Sequence, residues 1–198
     1  LAALLASQNL PTDYIDVPFT PFLIVAGGRK ILLDTGLGEF GGPTTGKLLE
    51  HLHAAGVQPS EIDTVLISHY HGDHINGLRN KAGDYVFAKA KVMVPTTEHA
   101  FWMDDARMAA APQGMKGAFE NVRRTFASMP QGMLVPFEPG AEVAPGIQSI
   151  AAYGHTPGHT SVAVTSGGAN GFVLGDVVIT CVDAEEPDLQ SMFDWDRK

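Results

Sequence analysis

The most constraining stretch of the chain is Ser68-His69-Tyr70-His71-Gly72-Asp73-His74, which follows directly on the apolar run Thr64-Val65-Leu66-Ile67. A short continuous apolar run reads as a strand covered on both faces. Three imidazoles and a carboxylate therefore arrive at the end of a buried strand within the six residues 69–74. On an extended backbone, positions 69, 71 and 73 share one face and 74 opposes them. A common focus requires the chain to bend, and Gly72 permits the bend. Four such groups would repel one another or stay unsatisfied without a cation, and imidazole nitrogen with carboxylate oxygen suits Zn²⁺, Fe or Mn²⁺. The competing reading, exposed loop residues with no shared target, suits an isolated histidine better than this density.

The rest of the chain supplies a frame for that cluster. Phe22–Val25 and Lys30–Leu33 read as strands joined by the Gly-containing turn 26–29, and Asp34-Thr35-Gly36 closes the second of them. Thr45–Ala55 carries Leu48, Leu49, Leu52 and Ala55 at helical spacing and stops at Gly56. Val92–Val94 reads as a strand. Thr96 or Thr97 is the expected cap of a helix through Glu98, His99, Phe101 and Trp102, and a second helix is expected over Lys116–Ala127. Beyond these, Ile147–Ala152, Val162–Thr165 and Gly171–Leu174 read as strands separated by Gly-rich turns. Strands at both ends with helices between them suggest layered sheets flanked by helices.

At 198 residues the chain is expected to form a single domain over 1–198. It opens at Leu1 without a methionine and closes at Lys198 on a charged segment, so the domain is expected to be cut short at both ends. Leu1-Ala2-Ala3-Leu4-Leu5 lacks the basic start and long apolar core of a signal peptide, and no stretch reaches the ~18 apolar residues of a membrane span. The formal charge of −9 disfavours attraction to a phosphate backbone, so nucleic acid is not an expected partner; with no apolar span, neither is a membrane. One cysteine, Cys181, excludes an internal disulfide and a cysteine-rich zinc site; after an apolar run it reads as an inert buried thiol. The compartment stays open between periplasmic or secreted and cytoplasmic.

The cluster has counterparts downstream. Gly154-His155-Thr156-Pro157-Gly158-His159-Thr160 follows one expected strand and Leu174-Gly175-Asp176 follows another, bringing more ligand types to strand ends. With His69-Tyr70-His71-Gly72-Asp73-His74 as an HxHxDH motif, Leu33-Asp34-Thr35-Gly36 as an LDTG turn, and these two segments in order, the chain resembles the metallo-β-lactamase superfamily over nearly its whole length. The stretch Gly154–Asp176 and the acidic Phe193-Asp194-Trp195-Asp196 are most similar to the methyl parathion hydrolase and quorum-quenching lactonase branch. The resemblance implies an αβ/βα four-layer sandwich of two mixed β-sheets flanked by helices, incomplete at its C-terminus.

It also implies two divalent metal ions, with Zn²⁺ first in expectation and Fe or Mn²⁺ as alternatives. His69, His71 and His155 would hold one, Asp73 and His74 the other, and Asp176 would bridge them. In the family's H-T-x-G-H pattern the first histidine coordinates, which favours His155 as the ligand and leaves His159 as a supporting neighbour, direct ligation being the alternative. Asp34 is expected either to orient a ligand histidine or simply to form the turn. Dinuclear members add a later histidine, whereas no histidine follows His159 here, so the second site is expected to be incomplete in this chain.

Two cations about 3.5–4 Å apart can hold a bridging hydroxide and polarise a carbonyl or phosphoryl oxygen, which makes water the nucleophile. Asp73 and Asp176 are then the expected catalytic carboxylates. The implied function is hydrolysis of a lactone, aryl ester or phosphotriester, that is, a lactonase, esterase or organophosphate hydrolase acting on a small molecule, with a homodimer as a possible assembly. Alternatives are an iron-dependent oxygenase or other redox member built on the same ligands, and a catalytically silent metal-binding protein. Phe101 and Trp102, with Met103 and Met108, are expected either to line an apolar substrate pocket or to form the core face of a helix. Ser68 lacks the context of an activated nucleophile. His51, His53 and His99 read as helix surface, and the acidic run Asp183–Asp188 as a solvated loop.

Overall fold

The computed structural model describes residues 2–179 together with Asp194 and Trp195. A short helix α1 (Ala2–Ser7) precedes an irregular stretch that leads into β1 (Phe22–Ala26) and β2 (Arg29–Leu33). The two strands form an antiparallel hairpin turned by Gly27 and Gly28 at φ of 57° and 77°. Left-handed backbone at both central residues matches the twist of the flanking strands, which is why two glycines stand there.

Next come α2 (Leu48–Ala54), β3 (Thr64–Leu66), the single turn α3 (Gly72–Ile75), β4 (Lys91–Pro95), α4 (Thr96–Trp102), α5 (Asp105–Ala110) and α6 (Gln113–Phe126). β5 (Leu134–Phe137) then completes a five-stranded sheet of order β1-β2-β3-β4-β5, in which every pairing after the first is parallel. β6 (Glu142–Ala144), β7 (Ile147–Ala151), β8 (Thr160–Ser166) and β9 (Ala169–Val173) form a second sheet, antiparallel throughout among the described residues.

Two boundaries differ from the periodicity for local reasons. The helix expected from Thr45 begins only at Leu48, because Gly46 is left-handed at φ 74° and so close to the Gly38 carbonyl that no side chain fits. Neither Thr96 nor Thr97 caps α4. Pro95 takes the cap position, and the Thr96 hydroxyl instead donates to the Phe137 carbonyl at 3.0 Å, tying the helix start to β5.

The period-2 alternation of the central strands divides the interior in two. Leu32, Val65 and Val92 lie side by side in register and face the helices, where Leu52 of α2, Phe101 and Trp102 of α4, and Phe119, Val122 and Phe126 of α6 cover them. Ile31, Leu33 and Leu66 face the other way, onto Phe137, Ile147 and Val162. Each fully buried aliphatic chain contributes about 1.5–3 kcal/mol, so both layers are needed to hold the central sheet. The continuous apolar character of 64–67 thus reflects a strand sandwiched between helices and a second sheet. Phe172 of β9 is 63% exposed.

This arrangement brings strand ends together. β2 and β3 run parallel, as do β7 and β9 through their shared neighbour β8, and the segments that follow these four strands carry Asp34, His69–His74, His155 and Asp176. The Thr160 N–H donates to the Ser68 carbonyl at 3.0 Å and links the two sheets where these segments meet.

Candidate metal centre

β3 ends at Leu66, so the histidine motif leaves the sheet before its first member. His71 is still extended (φ −66°, ψ 152°), and the turn α3 then swings Asp73 and His74 round toward the same centre. The bend expected at Gly72 is there, but Gly72 needs no left-handed backbone. A Cβ would stand 3.0 Å from the Asn76 amide nitrogen and 3.4 Å from that of Asn121, so glycine answers to crowding. The end of α3 is fastened by Thr35, whose N–H and hydroxyl both donate to the His74 carbonyl at 2.8 Å.

Three imidazole nitrogens converge first. His71 Nδ1 lies 3.1 Å from His69 Nε2 and 2.9 Å from His155 Nε2. The outer partners decide which nitrogens carry protons. Ser68 Oγ donates to Asp34 Oδ2 at 2.7 Å, so toward His69 Nδ1, 3.0 Å away, it acts as acceptor. His69 therefore carries its proton on Nδ1. His155 likewise donates from Nδ1 to Asp194 Oδ1 at 2.8 Å. Both Nε2 atoms thus present lone pairs to His71 Nδ1, whose single N–H can satisfy only one of them. A cation resolves the conflict by accepting all three lone pairs, so the donor set fits a metal such as Zn²⁺.

The electrostatics agree. Burial, reinforced by the neighbouring histidines, holds His69 well below the usual imidazole range and lowers His71 to about 4. Both are neutral at pH 7, the form a metal requires.

Carboxylates complete the other side. Asp176 turns Oδ2 toward His155 Nε2 at 3.3 Å and His69 Nε2 at 3.9 Å, and Oδ1 toward His74 Nε2 at 3.2 Å. Asp73 Oδ2 lies 3.4 Å from the same His74 nitrogen. His69, His74 and Asp176 thereby form a second group of converging ligand atoms beside His69, His71 and His155. Burial alone would raise the carboxyls of Asp73 and Asp176, but the hydrogen bond and charge of His74 hold both below the usual range. His74 itself is opposed by burial and yet raised well above the ordinary imidazole value by Asp34, Asp176 and Asp73.

Asp34 stands behind this group in left-handed backbone at φ 59°. Its Oδ1 accepts the Ser68 N–H at 2.8 Å, while Oδ2 accepts the Ser68 hydroxyl and His74 Nδ1 at 2.7 and 2.9 Å. One carboxylate thus aims His74 directly and His69 through Ser68. His159 is fully buried, and its Nε2 accepts the Asp176 N–H at 3.1 Å. Gly175 lets the two approach, since a Cβ there would be 2.6 Å from that nitrogen. His159 therefore positions the backbone of Asp176, and burial lowers its own imidazole to about 4.

The structure decides one open reading of the sequence and corrects another. Phe101 and Trp102 are 6% and 1% exposed and pack on Phe119, because α4 turns both inward; among the described residues they form core and do not line the cavity beside the site. Trp102 approaches the centre only from behind, with its ring 6.2 Å from that of His71. His99 is half-buried and sits 2.8 Å from the Tyr70 hydroxyl, so it is not free helix surface. His51 and His53 are exposed. Cys181 and the run Asp183–Asp188 lie outside the described residues.

The apolar wall comes instead from 17–22 and β9. A cavity of about 330 Å³ opens beside Asp73, His74 and Asp176 and is lined by Pro18, Phe19, Phe22, Phe172 and Leu174. Asp194 was also missed as the partner of His155: it lies 39 positions away, and no local spacing could pair them. Partners of this kind typically govern metal affinity about 10–100-fold. Asp194→Ala is accordingly expected to weaken divalent-metal binding by about that factor, measured by chelator competition, with little change in the circular dichroism of the folded protein.

Comparison with known proteins agrees with the geometry. Residues 20–198 match the family model of the metallo-beta-lactamase superfamily. The crystal structure of the hydrolase AbOPH, of the beta-lactamase superfamily, superposes with a TM-score of 0.92 at 28% identity, covering 100% of this chain and 69% of that one. AidC, a dizinc quorum-quenching lactonase solved with a product, gives 0.89 at 26% identity with the same coverage. A probable metal-dependent hydrolase from Staphylococcus aureus gives 0.78 at 25% identity, covering 98% of this chain and 71% of its own. In sequence, a ribonuclease of Thermus thermophilus is 39% identical over 64 residues, which is 32% of this chain and only 14% of that enzyme. With the two-sheet architecture, the ordered ligand segments and a family match over nine-tenths of its length, the chain belongs to the metallo-beta-lactamase superfamily.

Proposed function

We propose that this chain is a metal-dependent hydrolase of small neutral substrates, with a lactone, aryl ester or phosphotriester as the substrate class. The observation that carries the reading is the convergence of two sets of ligand atoms that share His69 and face the two oxygens of Asp176. His69, His71 and His155 would hold one divalent cation, Asp73 and His74 a second, and Asp176 would offer one oxygen to each. Such a pair would lower the pKa of a bound water toward ~7 and would supply an electrophile for the substrate's carbonyl or phosphoryl oxygen.

The remaining roles belong to the chain itself. Asp34 holds the proton on His74 Nδ1, and Ser68 and Asp194 hold those on His69 and His155, so each Nε2 stays turned inward. The aromatic and proline walls of the neighbouring cavity exclude water from one side and suit an apolar acyl or aryl group. The structural neighbours support this class: AidC is described as a lactonase and AbOPH as a hydrolase. A chain of net charge −9 is poorly suited to a polyanionic nucleic acid, which counts against the activity of the ribonuclease relative.

The test is a panel of a lactone, an aryl ester and a phosphotriester, assayed on metal-stripped protein as Zn²⁺, Mn²⁺ or Fe²⁺ is added back. Hydrolysis of one class that rises with metal and saturates is expected. Stoichiometric iron with oxygen consumption and no hydrolysis would replace the reading with the redox alternative, since the same nitrogen and oxygen donors suit iron.

A further inference from the structure

Glu98 is a fully buried carboxylate on α4 that lies outside the ligand groups described above. Its Oε1 accepts the Tyr70 N–H at 2.9 Å and the Trp102 indole N–H at 2.7 Å. Its Oε2 accepts the Thr156 hydroxyl at 2.9 Å and the Gly158 N–H at 2.8 Å. Tyr70 sits between His69 and His71, and Thr156 and Gly158 lie just beyond His155. One side chain therefore grips both loops that supply the three converging imidazoles, although those loops are 84 positions apart at the His71–His155 contact.

The close fit at this point is steric as well as polar. A Cβ on Gly158 would fall 2.2 Å from the Glu98 nitrogen and 2.7 Å from its Cβ, so only glycine lets the His155 loop settle onto the start of α4. Three of the four partners are N–H groups that can only donate, and the Thr156 hydroxyl can donate as well; these hydrogen bonds favour the carboxylate and oppose the burial that pushes the Glu98 carboxyl above the usual range. Burying a charged group away from the reacting atoms costs free energy unless every lone pair is used. A core position serving packing alone would be filled better by an apolar residue.

We infer that Glu98 is a positioning residue, a carboxylate clamp that sets the separation of the His69–His71 loop from the His155 loop and thereby the geometry of the three-histidine metal position. The inference rests on the reading of the cluster as a metal centre. It assigns Glu98 no contact with substrate. Glu98→Gln keeps the volume but must turn its amide N–H₂ toward one of the two donor pairs, so one loop loses its anchor. Thr156→Val removes a single donor and leaves the carboxylate in place.

The experiment strips the full chain of metal, reloads it with Co²⁺, and records the visible absorption and the chelator-competed affinity for each variant. Glu98→Gln is expected to bind Co²⁺ about 10–100-fold more weakly with an altered absorption envelope, and Thr156→Val to move both in the same direction by less. A purely structural role would lower the melting temperature and leave the cobalt spectrum of the folded fraction unchanged, and that result would overturn the inference. If Glu98→Gln does not fold, the Thr156→Val spectrum decides in the same way. Absence of Co²⁺ binding in the unsubstituted protein would overturn the metal-centre reading itself, which distinguishes the two failures.

Discussion

Replacing Asp176 by alanine is expected to lower turnover on any substrate the protein hydrolyses by about a thousandfold or more, equivalent to about 4 kcal/mol of transition-state stabilisation. The residue is placed to serve both proposed cations, with Oδ2 3.3 Å from His155 Nε2 and Oδ1 3.2 Å from His74 Nε2. Its removal would release both at once, and the lone N–H of the shortened residue would still be held by His159. Asp73→Ala removes a carboxylate from the His74 side only. It should abolish hydrolysis while the three-histidine position keeps its metal, which elemental analysis would separate from the Asp176 result. Chelation should reproduce the loss in the unsubstituted protein, and added metal should reverse it. Hydrolysis that survives chelation and both substitutions would remove a metal-dependent mechanism.

The second large effect is expected at Asp34, where turn formation and ligand orientation can be told apart. Asp34→Ala leaves the N–H and hydroxyl of Ser68, a 3%-exposed residue, without their acceptor, at about 1–3 kcal/mol for each buried group. It also places a Cβ residue without a local hydrogen bond in left-handed backbone, which costs about 1–2 kcal/mol more. The expected outcome is a metal-free protein several kcal/mol less stable in denaturant unfolding. Asp34→Asn keeps the tolerance for φ 59° and one acceptor oxygen but sets an amide N–H₂ against the hydroxyl of Ser68 or the ring of His74. That variant should fold with a modest loss of stability and still bind metal about 10–100-fold more weakly. Unchanged metal affinity in Asp34→Asn would reduce Asp34 to a turn residue.

The central strands and the ligand segments were legible because each carries its own local pattern. Apolar runs at 22–25, 30–33 and 64–67 lie where β1, β2 and β3 are found or begin, and the dense histidine motif needs no partner to be noticed. β5 was not legible: Pro136 within Leu134–Phe137 argues against a strand, and it is tolerated because β5 is the edge of its sheet. β6 has only three residues, also at an edge. α5 did carry a signal, Asp104 accepting from the N–H groups of Ala106 and Arg107, but its six residues are too few for periodicity to register.

The supporting residues of the site were hidden for a different reason. Glu98 and Asp194 act on loops far away in sequence, through hydrogen bonds that no spacing rule encodes. The apolar cavity wall combines Pro18, Phe19 and Phe22 with Phe172 and Leu174, which only the pairing of the two sheets brings together. Conversely, Phe101 and Trp102 had the composition of a pocket, and the packing of α4 against Phe119 of α6 turned them into core.

The most direct measurement is the metal content of the full chain after loading and dialysis, compared with a variant in which His69, His71 and His155 are all alanine. One firmly held divalent ion per chain at the three-histidine position, and a second lost on Asp73→Ala, is the expected result. Equal residual metal in the unsubstituted protein and the triple variant would contradict it.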